Sequence, residues 1–116
     1  MDLNNNKELK NLFAYDNLLT DLSFLDQLEC PEKLKRLDIS NNKFTSTSLT
    51  YFQFFPNLKT LLIANNAFYG TVEDIENLTK LNWVSFDNTE VEIVLESKIQ
   101  AKVSLDITLL KLNVHF

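Results

Sequence analysis

The residue types that most often carry catalysis are few and scattered in this chain. The one histidine, His115, lies one residue from the end of the 116-residue sequence, which disfavours it as the base of a triad. The one cysteine, Cys30, precedes Pro31, and packing as a small apolar side chain outweighs a nucleophilic role there. With Gly70 as the only glycine, no phosphate-cradling glycine loop is possible. The sequence therefore predicts that the protein is not an enzyme.

Metal and cofactor sites lack the side chains that they need. One cysteine and one histidine cannot supply the ligand set of a structural zinc site. Glu73, Asp74 and Glu76 form an acidic cluster, which we interpret as a solvated face rather than a calcium site. No metal and no cofactor is predicted.

The overall charge excludes further classes of partner. The net charge is −5 and the sequence pI is about 4.7, whereas nucleic-acid binders gain affinity from clustered lysine and arginine. The absence of a basic run also argues against binding to anionic membrane surfaces. Three features predict an intracellular, cytoplasmic protein. They are a lone cysteine, a polar start (MDLNNNK) and the lack of an apolar run near the roughly 18 residues of a membrane span.

An apolar frame recurs along the chain in the form L-x-x-L-x-L-x-x-N-x-L. Its copies begin at four leucines, Leu9, Leu34, Leu58 and Leu81, so the periods are 25, 24 and 23 residues. The second and third copies match fully, and the first and fourth carry one substitution each, Ala14 and Thr89. A fixed apolar period in the twenties is the signature of a solenoid.

This unit resembles the core repeat of the leucine-rich repeat family, in its short intracellular type without cysteine-rich caps. The resemblance implies an α/β leucine-rich repeat solenoid of about four repeats with the periods given above. Parallel strands would line its concave face, and short helical or 3₁₀ turns would form the return leg. It also implies a protein partner bound on the concave face.

The spacing within each copy assigns strands and turns. Frame positions 4 and 6 lie two residues apart and so share one face of a strand, which predicts strands near 12–14, 37–39, 61–63 and 84–86. Apolar residues every three positions on the return leg predict short helical or 3₁₀ turns. At position 9 we predict an inward-facing asparagine ladder that bridges neighbouring coils, with ordinary turn chemistry as the alternative. The ladder residues are Asn17, Asn42 and Asn66.

Frame positions 3, 5, 7 and 8 point away from the core, onto the predicted concave face. Large apolar side chains stand among polar ones there, and exposed aromatics rimmed by polar groups suggest a contact patch. The candidate partner-binding residues are Phe13, Tyr15, Arg36, Asp38, Leu62, Trp83 and Asp87. Two alternatives stay open: scattered surface apolar residues are normal, or an N-terminal cap folds over Phe13.

The frame divides the chain into three parts. Residues 1–8 are a polar lead-in that holds little more than Leu3 to cover the first coil, and residues 9–91 are the repeats. Residues 92–116 break the frame, and strict alternation predicts a capping strand near 99–109, preceded by a helical turn near 92–98.

Two functions are compatible with these features. The leading hypothesis is a protein–protein interaction module that docks a polypeptide on the concave face. The alternative is a structural or scaffold segment, or a fragment of a larger leucine-rich repeat protein. Such a segment would need a partner, or self-association, to cover uncapped solenoid ends.

Overall fold

The chain winds into successive coils that stack side by side. The computed structural model describes residues 2–92 and, as a backbone strand, residues 113–115. Numbered in chain order, the coils begin at Leu9 (coil 1), Leu34 (coil 2), Leu58 (coil 3) and Leu81 (coil 4). Eight strands are described: β1 (Asn11–Phe13), β2 (Arg36–Asp38), β3 (Thr47–Ser48), β4 (Thr60–Leu62), β5 (Phe68–Thr71), β6 (Trp83–Ser85), β7 (Glu90–Glu92) and β8 (Asn113–His115).

A five-stranded parallel sheet lines one side of the coils, in the order β1-β2-β4-β6-β8. Its first four strands begin and end one residue earlier than the frame predicts, but the register between repeats is the expected one. Leu12 pairs with Leu37, and Leu61 pairs with both Leu37 and Val84. Equivalent frame positions therefore stack directly on one another across the sheet.

The strand β8 extends this sheet past the fourth coil. Val114 pairs with Val84, and the stretch of chain between these two partners is longer than any of the repeat periods before it. The frame does not predict a strand here. The strand predicted near 99–109 and the helical turn near 92–98 lie outside the described residues, apart from 92 itself, which ends β7.

A second parallel sheet, not predicted from the sequence, forms where coils 2, 3 and 4 turn away from the large sheet. Its order is β3-β5-β7, with Thr47 paired to Phe68 and Gly70 paired to Val91. Gly70 has φ of +128°, a conformation that side chains rarely adopt. A Cβ at this position would lie 2.5 Å from Asp74 Oδ2, so the single glycine has a structural reason.

The return legs are 3₁₀ helices, as the three-residue apolar spacing predicts. They span Ser23–Gln27, Pro31–Lys33, Leu49–Phe54 and Val72–Ile75. Ser48 caps the third, since its side chain accepts a hydrogen bond from Thr50 N. Thr71 and Asp74 form a reciprocal capping box at the fourth, which satisfies donors that a helix start leaves unpaired.

The core lies between the large sheet and the return legs. Leu37, Leu61 and Val84 from the strands are fully buried. Phenylalanines pack together in the core of coils 2 and 3: the rings of Phe44 and Phe68 lie 5.8 Å apart, and those of Phe52 and Phe68 5.5 Å apart. Core filling therefore accounts for the phenylalanines on frame positions.

The polar lead-in covers part of the first coil. Leu3 is buried, and its backbone N–H donates to Gln27 Oε1 at 2.6 Å. Asn6 N donates to Leu3 O at 3.1 Å, which folds the segment back on itself. Leu3 thus shields apolar groups at this end of the core.

Candidate protein-binding face

The outer surface of the large sheet carries the side chains of frame positions 3 and 5. Because neighbouring strands lie about 4.8 Å apart, the residues at each of these positions form a continuous row across the sheet. The rows alternate with the buried row that contains Leu37, Leu61 and Val84. One outer row consists of Asn11, Arg36, Thr60 and Trp83, and the other of Phe13, Asp38, Leu62 and Ser85.

The aromatic candidates are exposed on this surface to different degrees. The exposed fraction is 59% for Phe13, 50% for Tyr15 and 39% for Trp83. Leu62 and Asp38 are half-buried, because each lies between side chains of the adjacent strands. The large exposed rings are thus Phe13, Tyr15 and Trp83.

These rings form two groups rather than one patch. Phe13 and Tyr15 belong to coil 1, whereas Trp83 is on β6, three strands or about 14 Å away. Arg36 lies between them on β2, with its Nη1 donating to Asn11 Oδ1 at 3.3 Å. A ligand that contacts both groups must therefore span most of the sheet.

The charge of this face is mainly negative. Its frame positions hold three carboxylates, Asp16, Asp38 and Asp87, and one guanidinium, Arg36. Asp38 Oδ1 already accepts hydrogen bonds from Ser40 N at 3.1 Å and Ser40 Oγ at 2.6 Å. Asp87 is exposed, so it is the more accessible of the two predicted acidic contacts.

The inward-facing asparagines make hydrogen bonds just after the strands, where each coil turns away from the large sheet. Asn42 Nδ2 donates to Ala14 O of coil 1 at 2.9 Å and to Ile39 O of its own coil at 3.0 Å. Its Oδ1 accepts from Leu19 N at 3.1 Å. Asn66 repeats this arrangement one coil further on, toward Ile39 O and Phe44 N. Among the described residues, Asn17 in contrast bonds within coil 1, to Ala14 O and Tyr15 O.

Sequence reasoning missed a second ladder, on the outside. Position 8 of each coil has a left-handed backbone, with φ between 53° and 58° at Asp16, Asn41, Asn65 and Asn88. Their exposed side chains are linked in a row: Asn41 Nδ2 donates to Asp16 Oδ1 at 2.7 Å, Asn65 to Asn41, and Asn88 to Asn65 at 3.0 Å. Four Asn or Asp residues at one frame position were the available signal, because these types favour that conformation.

The structure also bears on the residues considered for catalysis and metal binding. The backbone of His115 belongs to β8, where it pairs with Ser85. Within residues 2–92, no group of three or more His, Cys, Asp or Glu side chains is arranged to hold a metal ion. In the same part of the chain, no helix is long and apolar enough to cross a membrane.

Comparison with known proteins agrees with this architecture. The sequence model of the Leucine Rich Repeat family matches residues 33–55. The crystal structure of an internalin from Listeria monocytogenes superposes with a TM-score of 0.65 over 97% of this chain, at 22% identity. The chain has the leucine-rich repeat fold. Its fold is the solenoid that the repeated frame predicts.

The chain is also similar to part of a longer protein. It is 28% identical over 107 residues to a protein named Toll-like receptor 4 from Pinctada imbricata. The match covers 87% of this chain but 12% of that protein, and the internalin match covers 29% of the internalin. The chain therefore spans a minor part of each relative. Leucine-rich repeat domains of this kind are typically non-enzymatic and generally bind protein partners.

Proposed function

We propose that this leucine-rich repeat protein is an interaction module that docks a polypeptide across the outer surface of the five-stranded sheet. The observation that carries the proposal is the exposure of Phe13, Tyr15 and Trp83 on that surface. Exposed aromatic groups among polar neighbours are the usual anchors of protein interfaces. The proposed contact set also includes Arg36, Asp38, Leu62 and Asp87.

The arrangement of these groups favours an extended partner. Two aromatic groups about 14 Å apart can be reached together by a strand or a loop that runs across β1, β2, β4 and β6. Three carboxylates to one guanidinium on this face favour a partner segment with basic side chains, since complementary charge raises the association rate and the specificity. The proposed activity is binding alone, without catalysis and without a cofactor.

The test compares two faces of the same protein. A partner is first recovered by affinity capture from the native cell extract, and its binding is then measured by calorimetry. Trp83→Ala and Phe13→Ala should each weaken binding by about 2 kcal/mol, roughly thirtyfold, as truncation of an aromatic anchor does. Glu73→Ala is the matched control, because Glu73 is exposed on a return leg and should leave the affinity unchanged.

The reverse outcome would remove the proposal. If Glu73→Ala weakened binding while Trp83→Ala and Phe13→Ala did not, the partner would dock on the return side. Thermal melting of each variant by circular dichroism separates loss of binding from loss of fold.

An intracellular, cytoplasmic location is also part of the proposal. It is supported by the single cysteine, since disulfide-stabilised domains are typical of secreted proteins. Cell fractionation with an antibody to the protein tests it, and recovery in the secreted fraction would contradict it.

Self-association is a second candidate, favoured by the free side of β1. This strand pairs with β2 on one side, and the described residues place no strand on the other. Leu18, five residues after the end of β1 in the sequence, has an exposed fraction of 79%. Unpaired strand edges are templates for pairing with another chain. Light scattering after size exclusion decides: a monomer at all concentrations removes this candidate, and a dimer abolished by Leu18→Asp supports it.

A further inference from the structure

A pocket of about 190 Å³ lies on the return side, at the junction of coils 1 and 2 and away from the proposed docking face. Coil 1 contributes Leu25, Asp26 and Pro31 to its lining. Coil 2 contributes three aromatic side chains, Tyr51, Phe54 and Phe55. Asp26 is the one charged residue among those that line it, so the pocket combines ring surfaces with a single carboxylate.

The carboxylate is held in place by the tyrosine. Tyr51 OH donates to Asp26 Oδ1 at 2.7 Å and also lies 3.4 Å from Leu22 O. Burial raises the pKa of the Tyr51 phenol, and the hydrogen bond to Asp26 raises it further, so the hydroxyl remains a donor at neutral pH. This bond uses Oδ1 of Asp26. Because the residue is exposed, a cation can reach its carboxylate from solvent.

The rings are arranged around the opening and not stacked against each other. The centroid of Tyr51 is 5.9 Å from that of Phe54, with the planes at 69°, and 6.0 Å from that of Phe55, with the planes at 55°. Phe54 has an exposed fraction of 68%, whereas Phe55 is buried at the base. Such edge-on packing keeps ring faces, which are electron-rich, open to a ligand.

The repeat itself shows that the fold does not require these residues. At the next junction, between coils 2 and 3, the frame puts Thr50 in the place of Asp26, Asp74 in the place of Tyr51 and Asn77 in the place of Phe54. A different contact connects the return legs at that junction: Gln53 Nε2 donates a hydrogen bond to Asp74 O at 2.9 Å. The aromatic and acidic set is therefore specific to one junction.

We propose that this pocket binds the guanidinium of an arginine side chain on a partner polypeptide. A planar guanidinium stacks on aromatic faces, pairs with a carboxylate and is more weakly hydrated than an ammonium. The last property matters here, because the lining offers one carboxylate among mainly apolar groups. Leu25 and Pro31 provide apolar surface for the methylene stem, as arginine stems commonly use.

The test titrates isotope-labelled protein with three blocked tripeptides, acetyl-Ala-X-Ala-amide, in which X is arginine, lysine or citrulline, and follows amide shifts by NMR. The arginine peptide should bind in the millimolar range, with shifts confined to residues around Asp26 and Phe54. The lysine peptide should bind more weakly, and the uncharged citrulline peptide should cause no saturable shift. Equal binding by citrulline overturns the cation site, and equal binding by lysine overturns the assignment to arginine.

Variants locate the site independently. Asp26→Asn and Phe54→Ala should each lower the affinity for the arginine peptide about tenfold. This is the range expected for losing a partly desolvated cation–π contact or ion pair. Tyr69→Ala is the matched control, since Tyr69 is an exposed aromatic residue of coil 3 that does not line the pocket. If neither pocket variant changes the affinity, or if no peptide binds the unmodified protein, the pocket is not an arginine site. None of these outcomes depends on the proposed docking face.

Discussion

Coils 1 and 3 carry the same frame but occupy different environments. Leu61 of coil 3 lies between β2 and β6 and is fully buried, whereas Leu12 of coil 1, with a partner strand on one side, is partly buried. Asn66 bridges to coil 2, but Asn17 bonds within its own coil. In a solenoid, the contribution of a frame residue is therefore set by its neighbouring coils as much as by its type.

The largest expected difference concerns the leucines. Leu61→Ala should lower the free energy of unfolding by about 2–5 kcal/mol, as truncation of a fully buried leucine does. Leu12→Ala should lower it by clearly less, because the site is partly open and water fills the space. Denaturation in urea measures both. Equal losses would mean that coil 1 is as well enclosed as coil 3.

A smaller difference is expected for the inner asparagines. Asn42→Ala removes the side chain that bonds Leu19 N and three carbonyl oxygens in the native protein, which should cost about 1–3 kcal/mol. Asn17→Ala should cost less, since the Asn17 side chain bonds to no other coil within the described part of the chain and water can replace its amide at the exposed end of coil 1. The two variants are compared by the midpoints of their urea denaturation curves, provided that the dependence of the unfolding free energy on urea is the same. A larger loss of stability for Asn17→Ala would contradict the prediction.

The smallest expected effect concerns the left-handed residue of each coil, and here coils 1 and 3 should behave alike. Asp16 and Asn65 have nearly the same left-handed backbone, with φ of 57° and 58°, and this strain is local. Alanine at either position should be less stable than glycine by about 1 kcal/mol, because only glycine adopts this conformation without a penalty. Thermal melting of the four variants, alanine and glycine at each position, measures the difference. If the glycine variant were more stable than the alanine variant at one position alone, neighbouring coils would influence this turn.

The repeated frame predicts the parts of the fold that arise from side-chain periodicity. It places β1, β2, β4 and β6 within one residue and assigns the buried leucines, because two-residue alternation fixes which side chains face inward. It misses β3, β5 and β7, since these strands carry no such alternation and form only through pairing between coils. It also misses β8, whose distance from β6 departs from the repeat spacing.

The candidate site was predictable in outline only. Strand alternation identifies Phe13 and Trp83 as outward-facing, and the structure exposes both. It does not predict that Leu62 is partly covered, because that depends on the size of side chains on the adjacent strands. Nor does it find the pocket, since Phe54 is not at one of the apolar positions of the frame and Asp26 meets its partners only when two return legs pack together.

The outer ladder gives the solenoid a direction. Each asparagine amide donates toward the preceding coil, from Asn88 to Asn65 to Asn41, and the row ends on the carboxylate of Asp16. The amide dipoles are thus aligned, and a negative charge accepts at their positive end, an arrangement in which each bond polarises the next. A repeat engineered in front of coil 1 would meet an acceptor at Asp16, whereas Asn41, Asn65 and Asn88 each present a donor. Extending the protein in that direction calls for Asp16→Asn, whereas a truncation that makes coil 2 the first coil calls for Asn41→Asp.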